Sequence, residues 1–425
     1  MNKLFFFLVF ALALTACTDS INIDNNPKSI KVLVWNQQYF DDNYGEILKR
    51  KFPDTTFEVI TLQDAFVNGK SPTDLINKMI VNKEPDLIIL QEQFFQKFLD
   101  KNIFLDLSTR LEGDNLKISD INLGVLERGT SSDGKLLGVA TSFHSQFIIR
   151  NMDRFKEKGI ELESNYSSLK SISDTITLLT DIDKGELGLA IGSGSVWGTI
   201  LAFANSDGLK LADINKKQLL INSTSWESVA SEIIKLIQSK SLSYTSFPNP
   251  QSGDLFTQGK AAMTIGDDSY IGQLMSNNDQ IPFKWDFTLI PNNSLGQRAA
   301  PSNSNEYLAI RAGAHNEDFL INVLRELLGK DIQAIILAKK EIPALKPTSL
   351  DPKLQLYMSL FDNNINFSNN LYSDMLNMPE DLLIHVSEIA ENEFNEVLSG
   401  SITVKEALDS ILDKSNFYWG TLVKQ

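Results

Sequence analysis

Short apolar runs alternate with amphipathic stretches in the N-terminal part of the chain. The runs cover residues 30–35 (IKVLVW), 56–62 (TFEVITL) and 87–90 (LIIL). Their lengths and β-branched residues predict strands, the first and last of them buried on both faces. Residues 44–52 predict one intervening helix, and Ser71 with Pro72 predicts the start of another. This order predicts a largely parallel sheet with helices on both faces.

The α/β pattern continues farther along the chain. Residues 136–140 and 146–150 predict two more strands. Thr224 predicts a helix start through a capping box, and Trp226 on the apolar face of that helix predicts a core position. Pro379 and Gly400 bracket another amphipathic helix, and Thr403 opens a last one with a second capping box. We therefore predict an α/β protein without internal repeats.

The N-terminus predicts export. Lys3 precedes an apolar run at residues 4–14, which is too short to span a bilayer but typical of a signal peptide. The run is followed by Cys17 in the sequence LTAC, which resembles the bacterial lipoprotein signal, whose cysteine is lipidated. We expect residues 1–16 to be the signal peptide, Cys17 to carry palmitate-type acyl chains, and residues 17–28 to be a tether. A plain secretory signal with an incidental cysteine is the alternative.

Composition and charge narrow the function. The chain has 425 residues, of which 42% are hydrophobic and 22% charged, so it has the composition of a globular protein of two or three compact units. Its net charge of −15 argues against nucleic acid as a partner, because that requires a basic face. Neutral or cationic small solutes stay open as ligands.

We predict no metal and no cofactor. Cys17 is the single cysteine, and His144, His315 and His385 are scattered, so no zinc cluster can form. Residues 41–45 and 181–185 are rich in aspartate but lack the calcium-loop pattern D-x-D-x-D-G. The sequence also contains no H-E-x-x-H, G-x-S-x-G or P-loop motif. Two facing carboxylates for glycoside hydrolysis stay open as an alternative, because the chain has 54 acidic residues.

Several segments, in this order, resemble the extracellular solute-binding proteins of ABC importers that bind sugars and oligosaccharides. They are residues 85–90 (PDLIIL), 137–140 (LGVA), 147–151 (FIIRN), 256–263 (FTQGKAAM), 285–291 (WDFTLIP) and 341–344 (EIPA). The most specific of them matches the family signature F..GKAAM. The resemblance spans about residues 30–415. The chain departs from the family pattern at three places. After Gly266, Asp267 and Asp268 replace an aromatic residue. Glu341 replaces a glycine, and residues 302–304 replace a Gly-Gly pair.

The resemblance implies a periplasmic-binding-protein-like fold, with two α/β lobes joined by a multi-strand hinge that close on a ligand. We expect residues 29–143 with 303–345 to form one lobe, and 144–302 with 346–425 the other. The resemblance also implies two partners: a small-molecule solute, which in this family is a sugar, and the membrane subunits of an ABC permease. We expect a monomer held at the outer face of the cell membrane by the lipid on Cys17.

Polar and aromatic residues follow two of the predicted parallel strands. Trp35, Asn36 and Gln37 follow the first strand, and Gln91 and Glu92 follow the third. Ligands of such sheets bind beyond the carboxyl ends of the strands. We therefore predict that these side chains bind the ligand. Core packing is the alternative for Trp35.

The resemblance implies further ligand contacts near the crossing segments and after the F..GKAAM strand, and the small residues around Trp197 suit a ligand-stacking ring in the second lobe. These candidates are Phe143, His144, Trp197, Asp267, Asp268, Tyr270 and Asn303, with Arg298 and Glu306 as neighbours of the last crossing. Trp197 lies in a Gly/Ser-rich stretch at residues 192–198, which lacks the G-x-G-x-x-G spacing of a nucleotide site. Capping of a tight turn is the alternative for Trp197, and capping of a helix is the alternative for the two aspartates.

The sequence therefore favours a lipid-anchored solute receptor without enzymatic activity. A receptor of the same fold for a peptide or polyamine is the first alternative, because Glu92, Asp267 and Asp268 would suit a cation. A surface enzyme or an adhesion lipoprotein is the second.

Overall fold

The computed structural model describes residues 27–66, 72–113, 116–162, 166, 168–244, 254–290, 298–299, 302–347, 352–361, 365–366 and 370–422. The predicted signal peptide, Cys17, and Ser71 as an N-cap lie outside the described residues. Among the described residues, no helix combines the length and the apolar character that a bilayer crossing requires.

The strands of the described residues follow in chain order. They are β1 (Ser29–Val34), β2 (Thr56–Thr61), β3 (Leu87–Gln91), β4 (Ser142–Asn151), β5 (Leu187–Ala190), β6 (Ala212–Asp213), β7 (Gln218–Leu219), β8 (Leu242–Ser243), β9 (Ala261–Asp267), β10 (Trp285–Leu289), β11 (Arg298–Ala299), β12 (Ser302–Asn303), β13 (Glu306–Ile310), β14 (Ile342–Pro343) and β15 (Ile365–Asn366).

The α-helices are interspersed with these strands. They are α1 (Gln37–Phe40), α2 (Glu46–Lys51), α3 (Pro72–Lys83), α4 (Glu92–Phe98), α5 (Leu123–Gly129), α6 (Met152–Glu157), α7 (Leu169–Leu179), α8 (Val196–Ser206), α9 (Thr224–Gln238), α10 (Asp268–Ser276), α11 (Glu317–Leu328), α12 (Lys330–Ala338), α13 (Asn370–Asn377), α14 (Glu380–Ser399) and α15 (Val404–Leu422). Helix α1 continues into a π-helical turn, Asp41–Gly45.

The first sheet has the strand order β13-β3-β1-β2. Strand β1 runs parallel to both β2 and β3, as the alternation of apolar runs and helices predicts. Strand β13 adds an antiparallel edge that pairs Glu306 with Gln91. We call the body built on this sheet lobe 1.

The second sheet has the order β10-β4-β9-β5-β8. Strand β5 runs parallel to β8 and β9, whereas β4 runs antiparallel to β9 and β10. Strand β9 contains the end of the GKAAM segment, and six of its seven residues are buried. We call the body built on this sheet lobe 2.

One long strand connects the two bodies. The first residues of β4 pair with β12 and β14, and its later residues pair with β9 and β10. The strand predicted at residues 136–140 is wrong, because that segment makes only isolated bridges, from Leu136 to Thr130 and from Val139 to Leu308. Gly138 lies so close to the Phe95 ring that a Cβ would be 2.6 Å from it, so this position requires glycine.

Two apolar clusters form the core. The first extends from the lobe 1 sheet to residues of β4, α10 and β10, and the second fills the rest of lobe 2. In lobe 1, Phe95 stacks on Tyr307 at 4.6 Å between ring centroids. In lobe 2, Trp226 is buried, as predicted, but its helix α9 is capped by Ser223 and not by Thr224. The Ser223 hydroxyl accepts the Trp226 N–H, so the capping residue lies one position earlier than predicted.

The predicted C-terminal helices are confirmed. Helix α14 starts after Pro379 and ends at Gly400, whose φ of 80° requires the left-handed conformation that glycine adopts freely. Thr403 and Glu406 form the predicted capping box, in which each residue's side chain accepts the other's backbone N–H.

Candidate functional site

A cavity of about 490 Å³ lies where the carboxyl ends of β1 and β3 face the other lobe. Trp35 follows β1, and Gln91 ends β3. Tyr372 enters the cavity from α13, and α13 belongs to lobe 2 because Asp374 accepts the backbone N–H groups of Leu211 and Ala212. The cavity therefore has walls from both lobes, at the position where open α/β sheets bind ligands.

Aromatic rings form one side of the cavity. Trp35 meets Phe66 edge to face at 5.1 Å, and Phe66 meets Phe94 in the same way at 5.4 Å. Phe66 is 39% exposed, although a ring of this size gains by burial. Tyr39 and Tyr372 also line the cavity. These rings offer flat apolar surfaces on which the CH face of a ligand could pack.

Amide side chains form the other side. Gln91, Gln93, Asn303 and Asn305 line the cavity, and Gln93 donates to the Gln91 oxygen at 3.2 Å. Each amide carries both donors and acceptors. This mixture can match hydroxyl groups, which also donate and accept.

Glu92 lines the cavity, but its charge is already compensated. Its carboxylate is 2% exposed, lies 2.8 Å from the Arg128 Nε, and accepts the Ser304 N–H at 2.6 Å. Burial raises the pKa of Glu92, while the charge of Arg128 and the Ser304 bond oppose that rise. The glutamate therefore fixes the turn at residues 303–305 against α4.

Glu306 is the second cavity carboxylate, and it is held by two tyrosines. The Tyr44 hydroxyl donates to its Oε1, and Tyr39 donates to the same carboxylate. Tyr39 and Tyr44 are five residues apart around the π-helical turn, whose i→i+5 geometry places such residues on one side. Burial raises the pKa of Glu306 to about 7, against the opposing effects of both tyrosines and Lys339.

A histidine–aspartate pair lies at the hinge end of β4. The His144 Nδ1 lies 3.0 Å from the Oδ2 of Asp268, which is fully buried and also accepts the Ser145 N–H. Burial alone would lower the pKa of His144, but Asp268, assisted by Asp267 and Glu341, raises it to about 9. The pair ties the crossing strand to the start of α10.

The structure brings five of the candidate ligand contacts to the cavity: Trp35, Gln91, Glu92, Asn303 and Glu306. Asn36 lies next to them but caps α1, since its Oδ1 accepts the Tyr39 N–H. Gln37 is exposed, and its amide donates to Asp41.

The other predicted contacts lie away from the cavity. Phe143 is fully buried against Phe361. Trp197 is 3% exposed in the lobe 2 core, where it stacks on Trp226 and Phe394. At this exposure the ring offers almost no surface to a ligand.

The acidic loop likewise has internal partners. Asp267 caps α10 by accepting the Tyr270 N–H, which is the alternative that the sequence left open. Asp268 pairs with His144, and the buried Tyr270 hydroxyl donates to Asp254 at 2.7 Å. These contacts stabilise lobe 2 and its junction with the hinge.

Several cavity residues were missed in the sequence. Tyr39 lies four residues after Trp35, on α1, so a search for aromatic residues beyond the strand end would have found it. Phe66 is likewise an aromatic residue beyond the carboxyl end of a parallel strand, β2. Tyr372 has no local signal, because only the packing of α13 on lobe 2 brings it to the cavity. Within the described residues, no group of three or more acidic, histidine or cysteine side chains could hold a metal ion.

Comparison with known families identifies the class. The model of the bacterial extracellular solute-binding proteins matches residues 33–334. The chain belongs to this family, as the ordered motifs and the two-lobed fold indicate. It is a family of extracytoplasmic receptors and not of enzymes. No curated protein matches the chain in sequence.

Solved structures share the fold. An extracellular solute-binding protein of Alicyclobacillus acidocaldarius has a TM-score of 0.71 at 14% identity, covering 93% of this chain and 100% of the other. The cyclic α-maltosyl-1,6-maltose binding protein of Arthrobacter globiformis has a TM-score of 0.67 at 18% identity, and the match covers 93% of this chain and 99% of the other. An ABC substrate-binding protein of Listeria monocytogenes, in complex with cycloalternan, has a TM-score of 0.55 at 19% identity, and the match covers 92% of this chain and 99% of the other.

Proposed function

We propose that this protein is the lipid-anchored receptor of an ABC importer and that it captures an uncharged carbohydrate of oligosaccharide type between its lobes. The observation that carries the proposal is the cavity itself. Its aromatic side, with Trp35 and Phe66, can stack on sugar rings, and its amide side, with Gln91 and Asn303, can bond their hydroxyls. The names of the Arthrobacter and Listeria proteins support a carbohydrate, because both refer to bound sugars.

The charges of the cavity favour a neutral ligand over a polyamine or a peptide. Glu92 is neutralised by Arg128, and Glu306 is occupied by two tyrosine hydroxyls. The aspartates that made a cationic ligand attractive have internal roles, with Asp268 paired to His144. A cationic ligand would have to displace these partners, and displacement leaves a buried charge uncompensated, which costs free energy.

Closure of the lobes follows from the position of the cavity. A ligand that contacts Trp35 on lobe 1 and Tyr372 on lobe 2 binds the closed state more tightly than the open one, and so shifts the population toward closure. In this proposal, residues 29–143 with 303–345 move as one lobe, and 144–302 with 346–425 move as the other. The permease reads the closed form, while the lipid on Cys17 keeps the monomeric receptor at the membrane.

A thermal-shift screen over carbohydrates, peptides and spermidine tests the ligand class. A sugar at about a thousand times its Kd should add about 4 kcal/mol to the stability. Trp35→Ala should abolish this gain, because it removes the stacking ring. Trp285→Ala is the matched control, since Trp285 is also partly exposed but lies outside the cavity.

Two outcomes would contradict the proposal. Stabilisation by peptides or spermidine alone would indicate a receptor for another ligand. Turnover of chromogenic glycosides without saturable, reversible sugar binding would indicate an enzyme, and Glu92 and Glu306 would then be the first carboxylates to substitute.

A further inference from the structure

A second cavity, of about 260 Å³, adjoins the main one. Tyr39, Asn305 and Glu306 line both cavities, so these three residues form the partition between them. The remaining walls come from the π-helical turn, the start of β4 and helix α12. We call this second cavity the side pocket.

The side pocket has one polar wall. Asn43 contributes an amide, Thr141 and Ser142 contribute hydroxyls, and Glu341 contributes a carboxylate. Ser142 begins β4, and Glu341 directly precedes β14. The polar wall is therefore built from the hinge itself, together with the turn that carries Tyr44.

The opposite wall is apolar. Ile332, Ile335 and Ile336 lie on one face of α12 and line the pocket, as residues three and four apart on a helix do. A group that fits between the two walls needs hydroxyls along one edge and CH groups on the other side. Sugar rings have this division of polar and apolar surface.

The charges of the side pocket select against ions of either sign. The Lys339 ammonium donates to the Asn43 oxygen at 2.8 Å and faces Glu306 and Glu341. It repels a cation, while the carboxylate of Glu341 and, above about pH 7, that of Glu306 repel an anion. An uncharged, hydroxyl-rich group is the chemistry that these walls accept.

The size of the side pocket suits one part of a ligand better than a whole ligand. Independent small-molecule sites measure roughly 300–1,000 Å³. The main cavity lies within this range and the side pocket lies below it. The two cavities adjoin at Tyr39, Asn305 and Glu306, so a ligand that extends past these residues would occupy both.

We propose that the side pocket is an additional subsite, which takes one sugar ring or branch of an oligosaccharide whose remainder fills the main cavity. This inference rests on the proposed function and adds a requirement to it. The preferred ligand must be longer than the main cavity alone can hold, or branched, and it must pass over Glu306.

Filling the side pocket tests the inference. Ile335 is half-buried on the apolar wall, so Ile335→Trp should occupy the space of the terminal ring. Ala338→Trp adds the same bulk to an exposed position of the same helix and is the matched control. Isothermal titration calorimetry would use gluco-, manno- and xylo-oligosaccharides from one to five units, with branched isomers.

We expect Ile335→Trp to lower the affinity for the oligosaccharide that the wild type binds best by about tenfold or more. The affinity for short sugars of the same series should stay unchanged. Ala338→Trp should match the wild type for every sugar. Ser142→Ala, which removes one hydroxyl with little effect on packing, should weaken only the longer sugars, by about three- to tenfold. This milder variant gives an answer even if Ile335→Trp does not fold.

Three results would overturn the inference. The first is equal affinity of wild type, Ile335→Trp and Ser142→Ala for the longest sugar. The second is an equal loss for short and long sugars, which would place the effect in the main cavity. The third is wild-type affinity that does not increase beyond the shortest sugar that binds. In each case sugar binding itself survives, whereas a wild type that binds no sugar overturns the proposed function.

Discussion

Replacement of Glu306 by glutamine should change how stability depends on pH. Glutamine has nearly the same shape, and its amide can still bond the hydroxyls of Tyr39 and Tyr44. The carboxyl is nine-tenths buried, and burial raises its pKa from 4.5 to about 7. At about 1.4 kcal/mol for each tenfold change in proton affinity, this rise corresponds to about 3 kcal/mol.

The sign of the effect follows from linkage. Between pH 4.5 and about 7 the folded protein keeps the proton on Glu306, while the unfolded chain releases it. The contribution of this group therefore lowers stability as pH rises through that window, and the full penalty is present above pH 7. Glu306→Gln has no proton to lose, so it avoids the penalty.

Urea unfolding at pH 5 and pH 8, followed by circular dichroism, measures the difference. We expect the stability of Glu306→Gln relative to wild type to increase by about 2–3 kcal/mol from the lower to the higher pH. Glu388→Gln, at an exposed position of α14, should show the same small difference at both values. An unchanged difference for Glu306→Gln would refute the role of burial at this site.

Three further substitutions test other parts of the structure. Arg128→Met should destabilise the protein by about 3 kcal/mol in urea unfolding, because Glu92 would stay buried without its cation. Trp197→Ala should cost about 3–5 kcal/mol by opening a cavity in the lobe 2 core, while sugar affinity measured on the folded protein stays unchanged. Cys17→Ala should move the protein from the membrane fraction to the soluble extracytoplasmic fraction and abolish labelling by an alkyne palmitate analogue.

For each of these three substitutions, one result would contradict the prediction. An Arg128→Met variant as stable as the wild type would mean that the ion pair with Glu92 contributes little to the free energy of unfolding. If Trp197→Ala weakened sugar binding as strongly as Trp35→Ala, a ligand-stacking role for this ring would be restored. Membrane retention of Cys17→Ala would favour an anchor other than the cysteine.

The sequence predicted the parallel core of lobe 1 because apolar runs of strand length are local features. The carboxyl ends of those strands then pointed to Trp35, Gln91 and Glu92 by a general rule of α/β sheets. The antiparallel strand β13 could not be placed in this way. It comes from more than two hundred residues downstream of β3, and its own pattern does not show which edge it joins.

The remaining site residues depend on packing between distant segments. Trp197 looked like a ligand contact because small residues surround it in sequence, yet the rings that cover it, Trp226 and Phe394, come from α9 and α14. Tyr372 reaches the cavity only because α13 packs on lobe 2. Glu306 was predicted as a candidate near the last crossing, but its role could not be seen, since its two tyrosines lie more than 250 residues away in the chain.

The most direct measurement is a crystal structure of the protein with the carbohydrate that binds most tightly in the thermal-shift screen. We predict electron density for the sugar between Trp35 on lobe 1 and Tyr372 on lobe 2, with its hydroxyls bonded to the amides of Gln91 and Asn303. Density for the sugar outside this cavity, or contacts with one lobe only in an open protein, would contradict the account.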